Sequence, residues 1–231
     1  MEMTRQVTAL LPMKGHSERV PNKNLKSFSG FPLYHAIIQT LIEADTVGNI
    51  IIDTDSESIA RDAKSAFGTS VEIIERPESL RGDFISMNKI IEHDIKQLDE
   101  DIFIQTHSTN PLLRPQTIDV AVQLYFSVQE NGYDSVFSAN KIQTRLYDQH
   151  SNPINHNPAD LRRTQDLEPI FEENSNFYIF SKKSFFDANK NRIGLVPKIY
   201  EMNKLESVDI DEPEDFLLAE FLYQHIHQKH L

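Results

Sequence analysis

Residues 7–24 read VTALLPMKGHSERVPNKN, and the order of those residues decides the architecture. The run from Val7 to Pro12 is apolar, long enough for a buried strand and too short for a helix. It gives way to Lys14, Gly15, His16, Ser17, Glu18 and Arg19, a polar and basic segment. A buried strand that delivers a loop of this kind is the first half of a parallel β-α unit, and ligands in open parallel sheets collect at the carboxyl ends of the strands. Pro32 then opens a helix in which Leu33, Ile37, Ile38, Leu41 and Ile42 recur at helical spacing.

The unit repeats along the chain. Residues 49–53 (NIIID) read as a strand, Ser56 caps a helix running to about Phe67, and residues 71–74 form another strand. A helix follows over 86–98, a strand over 102–105, and a helix from Pro115 with Ile118, Val122 and Tyr125 turned inward. Residues 134–138, 177–180 and 195–200 read as further strands, and 212–227 as a closing helix. This alternation predicts a three-layer, Rossmann-like α/β fold around a mostly parallel central sheet. Between Asn140 and Asn174 the periodicity is lost over a length unusual for a plain connection. We therefore expect one domain over 1–231, with 140–174 as a small hairpin insertion that covers the site or meets a partner subunit.

Composition narrows the function. With 35 acidic against 23 basic side chains the formal net charge is -12, so binding many phosphates of DNA or RNA would meet long-range repulsion. No nucleic-acid partner is expected. A small anion remains compatible, because Arg5, Lys14, Arg19, Lys23 and Lys26 cluster near the amino terminus. There is no Cys, hence no disulfide framework and no thiolate metal site, which fits a reducing compartment. No apolar run approaches a membrane span, and the first residues do not read as a secretory signal, so the expected location is the cytoplasm. His225, His227 and His230 read as a solvated tail rather than a metal tract.

The second informative stretch is SVDIDEPEDFLLAE, residues 207–220. Strand-like alternation there would put Asp209 and Asp211 on one side and Val208 and Ile210 on the other. Two carboxylates so placed suit magnesium, which takes hard oxygen ligands from one or two carboxylates, substrate phosphate and water. Alternatively, the aspartates cap the helix that follows.

These segments together resemble the acylneuraminate (CMP-sialic acid) cytidylyltransferases. The first loop is similar to the family pattern I-P-A-R-G-G-S-K-x-I-P-x-K-N, matching at Pro12, Gly15, Ser17, Pro21, Lys23 and Asn24, with Lys14 where the family has Arg. Residues 207–220 resemble the carboxyl-terminal signature S-[IV]-D-I-D-x-x-x-D-x-x-x-A-E. RPESLRGDFIS is similar to R-P-x-x-L-x-x-D-x-x-S, and HSTNPL stands where the family has Q-P-T-S-P-L. RRTQDLEPIFEENSNFYIF resembles the segment R-R-Q-D-L-P-P-V-Y-R-E-N-G-A-I-Y-I-F, with Thr164 in place of an Arg. The resemblance spans about residues 7–220 and marks a divergent branch.

What the resemblance implies is a nucleotidyltransferase that moves CMP from CTP to the anomeric hydroxyl of a sialic-acid-like sugar and releases pyrophosphate. Lys23, Asp209 and Asp211 would be catalytic, with the two aspartates holding Mg2+ as cofactor. CTP would be held by Lys14, Gly15, Ser17, Arg19, Asn24, Arg76 and Ser86. The acidic sugar would meet His107, Thr109, Asn110, Arg163, Gln165 and Asn174, with Arg163 and Gln165 facing its carboxylate. Asp53 and Asp55 read as mainly structural. The family forms homodimers, so a homodimer is expected here. A cytidylyltransferase for a different acid such as a phosphonate, or a non-catalytic nucleotide-sugar-binding protein, is the alternative.

Overall fold

A computed structural model describes residues 6–228, so Arg5 and His230 lie outside the described residues. The leading strand β1 (Val7–Met13) is buried along its whole length. A two-residue hairpin, β2 (Ser27–Phe28) and β3 (Phe31–Pro32), leads into α1 (Leu33–Glu43). There follow β4 (Val47–Thr54), α2 (Glu57–Phe67), β5 (Glu72–Glu75), α3 (Met87–Ile95), β6 (Ile102–Thr106) and α4 (Pro115–Val128). The second half holds β7 (Ser135–Ile142), β8 (Ile170–Ser181), the short α5 (Lys182–Asp187), β9 (Pro197–Glu201) and α6 (Pro213–Gln228).

Seven strands form one sheet in the order β5-β4-β1-β6-β8-β7-β9. Only β8 runs against the others: it pairs antiparallel with β6 and β7, while β9 returns parallel to β7. The expected mostly parallel sheet is present. Because strand side chains alternate, β1 serves two layers at once. Ala9, Leu11 and Met13 pack with the inward sides of α1, α2 and α4, whereas Leu10 joins Ile91 and Ile95 of α3 and Phe185 of α5 on the opposite face. A third cluster of Val20, Phe28, Leu33, Ile210, Phe216 and Ala219 ties the first hairpin to α6. The segment before α6 is therefore sewn to the loop after β1, which is what matters for the site.

Some details differ from the sequence reading. Ser56 is the predicted cap, accepting a bond from the Ile59 N–H, and Pro115 opens α4 as predicted. Residues 207–211 are not a strand; they are an extended segment attached by the Ile210 N–H to the Thr109 carbonyl, at 3.0 Å. The alternation still holds, since Val208 and Ile210 both pack into the third cluster. The segment 140–174 is more regular than read: Ala139 to Ile142 pair with Ile170 to Glu173, extending β7 and β8 as a two-stranded arm. The excursion between them carries a single isolated bridge, Tyr147 to Pro153. Helix α5 was not expected, because six residues give too short a window for periodicity; its capping box at Ser181 and Ser184 marks its start.

Candidate active site

At the carboxyl ends of β1 and β6 lies a cleft of about 240 Å³ lined by Lys14, Ser17, Lys23, Asn24, Arg76, His107 and Thr109, together with apolar side chains of α3. Parallel topology accounts for the location, since β1 and β6 are neighbours with carboxyl ends on the same side. Other clefts are roomier, among them those of about 590 Å³ along α2, about 610 Å³ between α1 and α4 and about 490 Å³ in the segment Ile154 to Ile170; none of these three gathers the predicted set.

The loop after β1 is pinned from three directions. Gly15 donates its N–H to Asp55 Oδ1 at 2.7 Å, and a Cβ added there would stand 2.8 Å from the Ser56 Cβ, so only glycine fits. Asn24 is buried; it donates to the Lys14 carbonyl at 3.0 Å and accepts from Ser108 Oγ at 2.6 Å. Lys23 is 9% exposed, and its ammonium donates to the Ile210 carbonyl while standing 3.7 Å from Asp211 Oδ1. Arg19 reaches Asp211 at 2.6 Å and Glu212 at 3.1 Å. The two ends of the chain therefore meet next to the cleft, where Arg19 and the cleft residue Lys23 approach the carboxylates of Asp211 and Glu212.

Asp209 and Asp211 differ in environment. Asp211 is half exposed, whereas Asp209 keeps Oδ1 sealed from solvent with no hydrogen-bond partner among the described residues. Burial pushes the Asp209 carboxyl up, and the charge of Asp211 adds to the push; Thr109 and Lys23 pull it back. A divalent cation would relieve both the orphaned oxygen and the repulsion, so this donor set fits the magnesium that the resemblance implies.

Arg76 forms the floor. It is 4% exposed, grips Asp53 Oδ1 at 2.5 Å and donates to the Met13 and Asp53 carbonyls at 3.3 Å. Behind it Asp94, a residue the sequence reading passed over, forms a buried group with Asp53 and His93 whose ligand atoms lie within 4.8 Å of one another. Burial pushes both carboxyls up. Asp94 rises to about 9 because the negative charge of Asp53 adds to its burial, while Arg76 holds Asp53 back. Among the described residues Asp53 Oδ2 and Asp94 Oδ2 have no other partner, and one proton shared between the carboxyls would satisfy both. With that proton and the Arg76 guanidinium the charge is already balanced, and the cluster reads as a brace for Arg76 rather than a metal site.

The remaining predicted residues divide. His107 lines the cleft, and its imidazole is pushed down to about 3, by burial first and by the charge of Arg192 second. Thr109 lines it too. Asn110 is fully buried, with both side-chain polar atoms unbonded among the described residues, directly before the turn at Pro111. Ser86 is exposed at the start of α3, beside the cleft residue Met87. Arg163, Gln165 and Asn174 are not brought to the cleft. Arg163 is exposed and bonded to Asp166, Gln165 is exposed, and Asn174 is held in the arm by Asn140. Lys14 reaches Asp83 at 2.5 Å across the cleft mouth.

Residues 8–230 match the sequence profile described as cytidylyltransferase. The chain belongs to the cytidylyltransferase family. It is 31% identical over 224 residues to N-acylneuraminate cytidylyltransferase A of Danio rerio, covering 94% of this chain and 50% of that one. It is 29% identical over 231 residues to CMP-N,N'-diacetyllegionaminic acid synthase of Legionella pneumophila, covering 95% and 97%. The chain thus spans about half the length of the zebrafish cytidylyltransferase and nearly all of the bacterial one. A solved structure of CMP:2-keto-3-deoxy-manno-octonic acid synthetase complexed with CTP superposes with a TM-score of 0.68 at 13% identity, over 95% of this chain and 99% of that one, and so shares the fold. Among the described residues no helix is long and apolar enough to cross a membrane.

Proposed function

We propose that this cytidylyltransferase transfers CMP from CTP to the anomeric hydroxyl of a sialic-acid-like, nonulosonic acidic sugar. The observation that carries the reading is the meeting of Asp211 with Arg19 and with Lys23, which itself lines the cleft where β1 ends, two residues from the buried carboxyl of Asp209. In the reaction the anomeric oxygen attacks the α-phosphorus and passes its proton to solvent water. A new P–O bond forms, the bond to the α–β bridging oxygen breaks, and pyrophosphate leaves with the bonding electron pair.

The cations are at present held by carboxylates that a bound nucleotide would displace or share. Lys14 exchanges Asp83 for a phosphate oxygen, and Arg19 exchanges Asp211 and Glu212. Lys23, anchored through the Ile210 carbonyl, stays beside the α-phosphate as negative charge builds there. Asp209 and Asp211 would hold Mg2+, which supplies charge neutralisation at phosphoryl oxygens. Arg76, fixed by Asp53 and Asp94, keeps the floor positively charged without moving.

The arm over 140–174, which leaves Arg163 and Gln165 exposed, suits a contact with a second copy of the chain in a cytoplasmic homodimer, where those side chains would reach the partner's acceptor. The test is pyrophosphate release across the four nucleoside triphosphates and a panel of acidic acceptors. CTP with a nonulosonic acid should stand out; release with another nucleotide, or from CTP with a phosphonate alone, overturns the assignment.

A further inference from the structure

Next to His107, which lines the cleft, the fold places a residue that the sequence motifs do not mark. Arg192, in the loop after α5, lays its guanidinium over the Tyr178 ring at 3.6 Å from the centroid. Its Nη1 donates to Gln105 Oε1, and Gln105 Nε2 lies 3.2 Å from His107 Nε2. Its backbone N–H reaches Asn88 Oδ1 at 3.5 Å, in the first turn of α3, whose Met87 and Ile90 also line the cleft. Gln105 and Tyr178 are cross-strand partners on β6 and β8, so strand, helix and loop fix this cation on the same face of the sheet as the cleft.

The charge of Arg192 is not matched. Among the described residues no carboxylate lies within ion-pair distance of it; Glu173, the nearest in effect, accepts from the Tyr178 hydroxyl instead. Burial lowers the guanidinium pKa from its ordinary value, with Tyr178 and Glu173 opposing. None of its nitrogens is both sealed from solvent and unbonded, so the spare donors remain reachable. A cation that is partly desolvated, oriented by stacking and short of a counter-ion is arranged to receive one.

Resting on the transfer reaction proposed above, we infer that Arg192, braced by Tyr178 and Gln105, binds the carboxylate of the acidic acceptor. Arg163, which spends its fork on Asp166 in the exposed arm, does not hold that role within one chain. The neutral His107 beside Arg192 then adds a hydrogen-bonding partner without adding charge.

The experiment measures pyrophosphate release from CTP with N-acetylneuraminic acid, with N,N'-diacetyllegionaminic acid, and with the C1 carboxamide of each. R192Q should raise KM for the acid about 10- to 100-fold, the range for losing a charged hydrogen-bond partner, while leaving KM for CTP within about 2-fold. The preference for acid over carboxamide should disappear in the same variant. If KM for CTP also shifts, R192K decides: it keeps the charge without the fork, and should raise the acid KM about 3- to 10-fold. An unchanged acid KM in both variants, or equal losses for acid and carboxamide, overturns the assignment. So does an acid-specific rise in R163A with none in R192Q. Wild-type enzyme that releases pyrophosphate with neither acid overturns the transfer reaction itself, and this assignment with it.

Discussion

Replacing Asp94 by asparagine should make the protein more stable, and more so as the pH rises. Asp94 is 1% exposed, and its carboxyl is pushed up to about 9 by burial and by Asp53. In the unfolded chain the same group ionises at about 3.9. Below that value it is neutral in both states and contributes no pH dependence. Between about 3.9 and 9 the folded protein binds one proton more than the unfolded chain, so stability falls by about 1.4 kcal/mol per pH unit. At pH 7 that amounts to about 4 kcal/mol, and D94N would recover it, since the new amide still donates to Asp53. For a domain of this size about 4 kcal/mol corresponds to a Tm rise of roughly 8–16 °C. Denaturant unfolding of both proteins at half-unit steps from pH 5 to 8 reads the slopes directly. Equal slopes, or a D94N variant no more stable at pH 7, would show that Asp94 is ionised in the fold and that the shared proton does not exist.

The other predictions concern the cleft. D211N removes one charged group of the proposed Mg2+ donor set while preserving shape, so turnover should fall by about two orders of magnitude or more with the unfolding curve unmoved; undiminished pyrophosphate release rules out the proposed ligand role of Asp211. K23A should lower kcat/KM for CTP by roughly 10- to 100-fold through the lost charged contact, and an unaltered rate at subsaturating CTP speaks against that contact. G15A should cost about 1–3 kcal/mol, because the new methyl meets the Ser56 Cβ at 2.8 Å. S56G in the same chain removes the obstructing atoms and should restore part of that loss, since a glycine N-cap costs only a few tenths of a kcal/mol. A double mutant no better than G15A would place the strain elsewhere.

Much of the framework was legible because the deciding residues are local. The run 7–12 is buried on both faces and reads as continuous apolar sequence; Val208 and Ile210 keep their alternation because both pack inward even without a sheet partner. The outer reach of β7 and β8 was not legible, since Glu172, Glu173 and Lys141 pair in an arm whose polar faces leave no period-two signal. The reversal of β8 is a property of its neighbours and not of its own residues. Asp94 carries no mark of its role in the sequence, because that role exists only once the fold sets it against Asp53, 41 residues away in sequence, and Arg76. Arg192 stands in a polar loop just before Gly194, whose φ of 76° marks a turn but says nothing about the ring beneath the arginine. Arg163 shows the converse: a clear motif whose side chain, within one chain, faces solvent.

The bond from Lys23 to the Ile210 carbonyl joins residues 187 positions apart. A polypeptide emerging from the ribosome exposes this lysine long before the oxygen that captures it has been made. Until then the loop has only its earlier anchors at Asp55, Asp83 and Ser108, and a chain ending before that point lacks the clasp on Lys23 entirely. Fixing Lys23 in its observed position thus waits on translation through Ile210.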